Sequence, residues 1–263
     1  MKKLSMFLSL LWLVAGMGTA SASTITFITL DFNSGMPTQM TGGKIESVQD
    51  YAGLGSGSNV FSGNFLRNDS GGWGATPTSP VVPQTHTVLT LTGLPTHTSV
   101  SLGFLLAVID SWDGTSTESF QGFPYGPDYF NVRVDNVLKF SQPITNYAAA
   151  QVPPLPENVT LLDWPTNLGF NIWDDSAYDM GLDPVFQNIP HTADTLTVEW
   201  FASGAGWQGE NALLGTTHDE SWAIDNVRVD LNGVHAPLPA TLPLLGSGLL
   251  GLGLLAFRKK SQA

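Results

Sequence analysis

Ser99-Val100-Ser101-Leu102-Gly103-Phe104-Leu105-Leu106-Ala107-Val108-Ile109-Asp110 is the stretch whose pattern settles the fold class. Val100, Leu102, Phe104, Leu106 and Val108 fall at every second position, with Ser99, Ser101 and Gly103 between them. Successive side chains leave a strand on opposite sides, so this alternation predicts a strand with one buried face.

The same period recurs on either side. Phe130, Val132 and Val134 alternate with Asn131, Arg133 and Asp135, and Leu196, Val198 and Trp200 alternate with Thr195, Thr197 and Glu199. Val227, Val229 and Leu231 close the series. Thr85 to Thr92 and His97 to Ile109 are separated by Gly93-Leu94-Pro95-Thr96, turn chemistry that predicts a hairpin. No stretch between the two ends sustains a helical period. Strands spaced by long Gly, Pro and Asp loops predict an all-β, two-sheet antiparallel sandwich of jelly-roll type. Val134-Asp135-Asn136-Val137 and Ile224-Asp225-Asn226-Val227 echo each other, and both read as similar turns at strand ends. Asp225-Asn226 can also bend the chain between two strand parities, because Trp222/Ile224 and Val227/Val229 fall on opposite faces.

The two ends read as addresses. Lys2 and Lys3, the apolar run Met6 to Val14 and the small residues Ala20-Ser21-Ala22 have the layout of a signal peptide, residues 1–22, placed here as an N-terminal signal helix. At the other end Ala236-Pro237-Leu238-Pro239-Ala240 precedes the apolar run Leu242 to Phe257 and the basic triplet Arg258-Lys259-Lys260. Sixteen helical residues span roughly 24 Å, a little short of a ~30 Å hydrocarbon core. That predicts a marginal transmembrane helix over 242–257, with the basic residues on the cytoplasmic side. The domain plan is therefore a signal peptide, an ectodomain over 23–233, and a linker with a sorting signal over 234–263.

The box Pro237-Leu238-Pro239-Ala240, the glycine-rich apolar helix and the tail Arg258-Lys259-Lys260 resemble the PEP-CTERM sorting signal in its VPLPA variant, with Ala236 where that variant has Val. The resemblance implies a signal peptidase and an exosortase-like membrane enzyme as partners. It also implies a passing stay in the inner membrane and a final place on the cell surface or in an exopolysaccharide matrix. The ectodomain from Gly93 through Asp128-Tyr129-Phe130 to Asp219-Glu220-Ser221-Trp222-Ala223-Ile224-Asp225-Asn226-Val227 resembles secreted bacterial lectin-like or MAM-like jelly rolls. No reaction comes with that likeness.

Charge and composition narrow the chemistry. Of 10 Lys and Arg, five lie in the two ends, leaving five against all 22 Asp and Glu, a net of −17 between them. Nucleic acid is excluded as a partner, since phosphate binding needs clustered cations. The absence of cysteine excludes disulfides, thiolate zinc sites and a cysteine nucleophile. No Gly-x-Ser-x-Gly elbow and no His-x-x-x-His pair occur. Asp110, Asp113, Asp128 and Asp219 stand at the ends of strands, where loops can supply the six to eight oxygens that calcium takes. The competing reading makes them turn formers. Trp73, Trp112 and Trp207, flanked by Gly or Asp, are the candidates for stacking on sugar rings, whereas Trp200 and Trp222 belong in the core. These features favour a non-enzymatic, calcium- and carbohydrate-binding surface protein. The alternative is a secreted carbohydrate-active hydrolase with Glu199 opposite Glu210 or Glu220.

Overall fold

A computed structural model describes residues 22–70, 86–120, 123–147, 158–207 and 220–235. The signal helix, the sorting box, the apolar run and the basic tail lie outside the described residues, as do Trp73, Glu210 and Asp219. Among the described residues no helix is long and apolar enough to cross a membrane. Thr24–Asn232 form one compact unit.

In chain order the strands are β1 (Ala22–Leu30), β2 (Met40–Thr41), β3 (Lys44–Ser47), β4 (Gly55–Ser56), β5 (Asn59–Val60), β6 (Asn64–Asn68), β7 (Thr87–Thr92), β8 (Ser99–Asp110) and β9 (Ser119–Phe120). They continue with β10 (Phe123–Pro124), β11 (Tyr129–Val134), β12 (Val137–Pro143), β13 (Thr160–Thr166), β14 (Asp175–Asp179), β15 (Ile189–Pro190), β16 (Thr195–Ser203) and β17 (Glu220–His235). The larger sheet runs β13-β14-β8-β17-β6-β3, with β1 also on β17 and β15 on β8. The smaller runs β12-β11-β16-β7-β2. The expected all-β antiparallel sandwich is present.

The inner faces of the sheets share a core of large rings. Phe104 of β8 meets Trp200 of β16 edge-on at 5.8 Å, and Trp222 of β17 meets Phe130 of β11 at 5.3 Å. All four are buried, as the alternation required. The expectation of a single buried face on β8 is too modest, however. Leu105, Ala107 and Ile109, on its other face, pack with Tyr51, Phe61, Phe65, Phe170 and Ala223 into a second apolar layer outside the sheet. Residues 105–109 are apolar without interruption, the mark of a strand covered on both sides.

Two local expectations are corrected. β7 and β8 do not form a hairpin: β7 pairs with β16 and β2, whereas β8 pairs with β14, β15 and β17. Gly93 to Thr98 is a crossover between sheets, because each strand has an apolar face to bury and crossing over turns both onto one core. The crossover is tied outward, Leu94 N–H to Asp194 O at 2.9 Å and Thr98 N–H to Asn232 O at 2.9 Å.

The echoed tetrapeptides also diverge. Asp135 and Asn136, both left-handed at φ 48° and 63°, form the two-residue turn of the β11–β12 hairpin, closed by Val134 opposite Val137. Asp225-Asn226 ends no strand. Asn226, at φ 48°, is a bulge in the middle of β17, where the register to β8 shifts between Asp225 and Arg228. Trp222 and Ile224 lie opposite Val108 and Leu106, and after the bulge Val229 and Leu231 lie opposite Leu102 and Val100. All four partners share one face of β8, so the bulge returns both parities of β17 to the inner core. The parity change read from the sequence is therefore real.

Candidate functional site

β8 delivers its chain to one end of the sandwich and there turns sharply. Asp110 is left-handed at φ 72°, and Trp112 N–H donates to Asp110 O at 2.8 Å. Ser116 N–H closes a turn on Asp113 O at 3.0 Å. The turn before β11 comes alongside, with Asp128 N–H donating to Gly114 O at 2.8 Å and Ile144 N–H to Asp128 O at 3.1 Å. Gly206 backs this turn: a Cβ on it would stand 2.0 Å from Tyr125 O, so only glycine lets the chain after β16 pass so close. β17 begins here as well, with Glu220 opposite Asp110.

These three segments bring Asp113, Asp128 and Glu220 together, one carboxylate oxygen from each lying within 4.8 Å of the others. Asp128 and Glu220 are fully buried and Asp113 half-buried. Asp128 Oδ2 accepts the Asp113 N–H at 2.7 Å, whereas Oδ1 is buried with no hydrogen-bond partner. Burial raises the Asp128 carboxyl well above its ordinary value, and the Asp113 charge adds to that, against the Asp113 and Gly114 N–H groups. Close-set carboxylates with an orphaned oxygen fit a hard divalent cation, which would supply the missing partner and offset the shared charge. The donor set is all oxygen, which suits calcium or magnesium and not the softer transition metals.

The expected ligand set is corrected in one member. Asp113 and Asp128 meet as anticipated, but Asp110 does not join them. Its carboxylate takes a hydrogen bond from Asn171 Nδ2, and its backbone N–H donates to Asp175 Oδ1 at 2.7 Å. Asp175 Oδ2 accepts from Leu168 N–H at 2.6 Å, so the pair serves to hold the 167–175 loop over the second apolar layer. Glu220 takes the third place in the cluster. Glu220 was legible in the sequence only as part of the run Asp219-Glu220, and Asp219 itself lies outside the described residues.

The stacking candidates are corrected too. Trp112 and Trp207 are wholly buried and pack edge to face at 5.1 Å. Trp112 Nε1–H donates to Ser221 O at 2.9 Å and Trp207 Nε1–H to Ser70 O at 3.2 Å. Neither ring can receive a sugar; together they form the packing beside the acidic cluster. Among the described residues the exposed indole is Trp173, 54% exposed in the 167–175 loop beside Ile172. Glu199 lies on the outer face of the smaller sheet, 3.5 Å from Arg133 Nη1 and 3.2 Å from His86 Nδ1. Glu220 is buried on the other sheet, and Glu210 lies outside the described residues.

Fold and site together define an antiparallel β-sandwich with an acidic cluster among the loops at one end. No protein-family model matches the chain and no curated protein does. Among solved structures, it is similar to the K1 cleaved adhesin domain of Lys-gingipain from Porphyromonas gingivalis W83, at 12% identity and a TM-score of 0.37, over 80% of this chain and 99% of that one. The K3 cleaved adhesin domain of the same protein gives 11% identity and a TM-score of 0.34, over 79% and 99%.

Proposed function

We propose that this chain is an exported, non-enzymatic β-sandwich of jelly-roll type that works at the cell surface or in an exopolysaccharide matrix, with its loop end held by calcium. The unpartnered, buried Oδ1 of Asp128, beside Asp113 and Glu220, carries the calcium reading. One ion there would join the segment after β8, the turn before β11 and the start of β17, three pieces distant in sequence. The exported setting rests on the signal layout of residues 1–22, the Pro237-Leu238-Pro239-Ala240 box and the low basic content between the ends. Signal peptidase and an exosortase-like enzyme are the partners this reading requires.

Thermal melting of the purified protein in chelator and in millimolar calcium tests the site. Calcium at 100 times its dissociation constant adds about 2.7 kcal/mol. In a domain of this size that raises Tm by roughly 5–10 °C. Magnesium at the same concentration is expected to do much less, because it demands a tighter octahedral shell. Superimposable curves in chelator and calcium overturn the reading and leave the carboxylates as turn formers.

A further inference from the structure

The outer face of the larger sheet changes character along β8. Leu105, Ala107 and Ile109 lie under the second apolar layer, but Ser101 and Gly103, two positions apart on the same face, open onto a cleft of about 490 Å³. The cleft sits at the other end of β8 from the acidic cluster, seven residues or roughly 23 Å along the strand from Asp110. We propose that it binds a short, uncharged oligosaccharide.

Two glycines line the cleft and stand against each other: a Cβ on Gly181 would lie 3.2 Å from Asp179 Oδ1 and 3.3 Å from the Gly103 Cα. Gly103 and Gly181 both lack a left-handed φ, and a Cβ on Gly103 would meet nothing nearer than the Gly181 Cα at 3.6 Å. A glycine within a twelve-residue strand weakens that strand, and here it lets the Gly181 backbone pass close beside β8.

The walls are hydrogen-bonding groups already held in place. Asp179, 7% exposed, accepts from Asn59 Nδ2 at 3.0 Å and from Gly181 N–H at 2.9 Å. Asp230 accepts from Thr26 Oγ1 at 2.7 Å and pairs with Arg228 at 2.9 and 2.8 Å. A carboxylate has about four acceptor sites and a guanidinium five donors, so each keeps capacity to spare. Vicinal hydroxyls, which both donate and accept, match such a mixed and preorganised lining. Two carboxylates against one guanidinium make the lining net acidic, which disfavours uronates and phosphates. Leu182, 68% exposed at the rim, offers apolar surface to the C–H face of a ring. The volume falls within the usual range for ligand sites.

This inference takes only the extracellular setting from the proposed function and is independent of calcium. The test therefore runs in chelator. The full chain is titrated calorimetrically with cellohexaose, maltohexaose, laminarihexaose and mannohexaose, and with an oligogalacturonate hexamer as the acidic control. At least one neutral hexamer is expected to bind, and Gly103→Val, which adds bulk to the lining, is expected to weaken it at least tenfold while melting stays cooperative. Arg228→Ala, at a side chain 53% exposed, serves if Gly103→Val does not fold, and it too is expected to weaken binding tenfold. No heat with any neutral hexamer, equal affinity in the variants, or tighter binding of the acidic hexamer overturns the proposal.

Discussion

The Asp113 N–H donates to Asp128 Oδ2 at 2.7 Å while Oδ1 of the same carboxyl lies buried without a partner. One half of Asp128 is thus engaged in holding a turn and the other half answers to nothing among the described residues. With the carboxyl raised well above its ordinary value by burial, the ionised form is a strain on the metal-free fold. Asp128→Asn keeps an acceptor for Asp113 and removes the charge. In chelator at pH 8 the variant is expected to melt no lower than the parent, and in calcium it is expected to lose the whole calcium-dependent rise. A variant that still responds to calcium places the ion elsewhere.

Asp175 and Asp225 join Asp128 in shaping the pH dependence of the metal-free protein. Burial pushes the Asp175 and Asp225 carboxyls from 3.8 to about 7, with the Asp110 charge adding to Asp175 and the Asp31 charge to Asp225. Between pH 4 and 7 the folded chain therefore holds more protons than the unfolded one, so stability falls as pH rises through that window and stays low above it. Melting in chelator is expected to be higher at pH 5 than at pH 8. Asp225→Asn gives up one of the two N–H acceptors used by Ser62 and Asn226, about 1 kcal/mol at pH 5, and recovers that deficit by pH 8. A parallel pH profile for parent and variant removes Asp225 from the account.

Deleting Asn226 tests the bulge. The deletion leaves Trp222 and Ile224 in place and moves Val227, Val229 and Leu231 to the other face of β17, so the folded state is expected to be lost and no cooperative melting transition to remain. Asn226→Gly keeps the left-handed conformation and gives up the Nδ2–H to Val60 O bond at 2.8 Å, a loss of about 1 kcal/mol. The parity change was legible in Trp222/Ile224 against Val227/Val229, because hydrophobic alternation records which face each residue must take. What the tetrapeptide itself does was not legible. Asp-Asn accepts left-handed backbone wherever it occurs, and the neighbouring strands decide whether that becomes a hairpin turn, as at Asp135-Asn136, or a bulge.

Trp112 shows where sequence reading of the site stops. Flanking Ser111 and Asp113 correctly place it in a loop, but composition cannot tell a loop that stands in solvent from one that folds back over the end of a sandwich. Trp112→Ala is expected to remove about 3–5 kcal/mol through the cavity left against Trp207, measurable by denaturant unfolding. Trp112→Phe keeps most of the packing and loses the donor to Ser221 O, and its effect on sugar binding is expected to be nil. A variant of normal stability that no longer binds a glycan would return Trp112 to the role of a stacking platform.

Tyr51 anchors the second apolar layer, which the alternation of β8 did not announce because its cover comes from short loops with no period of their own. The ring sits 5.4 Å from Phe61 and 6.0 Å from both Phe65 and Phe170, and its hydroxyl donates to Val108 O at 3.0 Å. Asn146 Nδ2 donates to that same carbonyl at 3.1 Å, so removing the hydroxyl does not orphan it. Tyr51→Phe is therefore expected to shift stability by less than about 1 kcal/mol. Tyr51→Ala opens a cavity among three rings and is expected to remove about 3–5 kcal/mol. For a domain near 200 residues that is a drop in Tm of at least 6 °C or so. The ratio of the two effects separates packing from hydrogen bonding: equal losses would mean that the hydroxyl, and not the ring, joins the 48–61 segment to β8, and the second layer would then be a tethered loop with little core energy of its own.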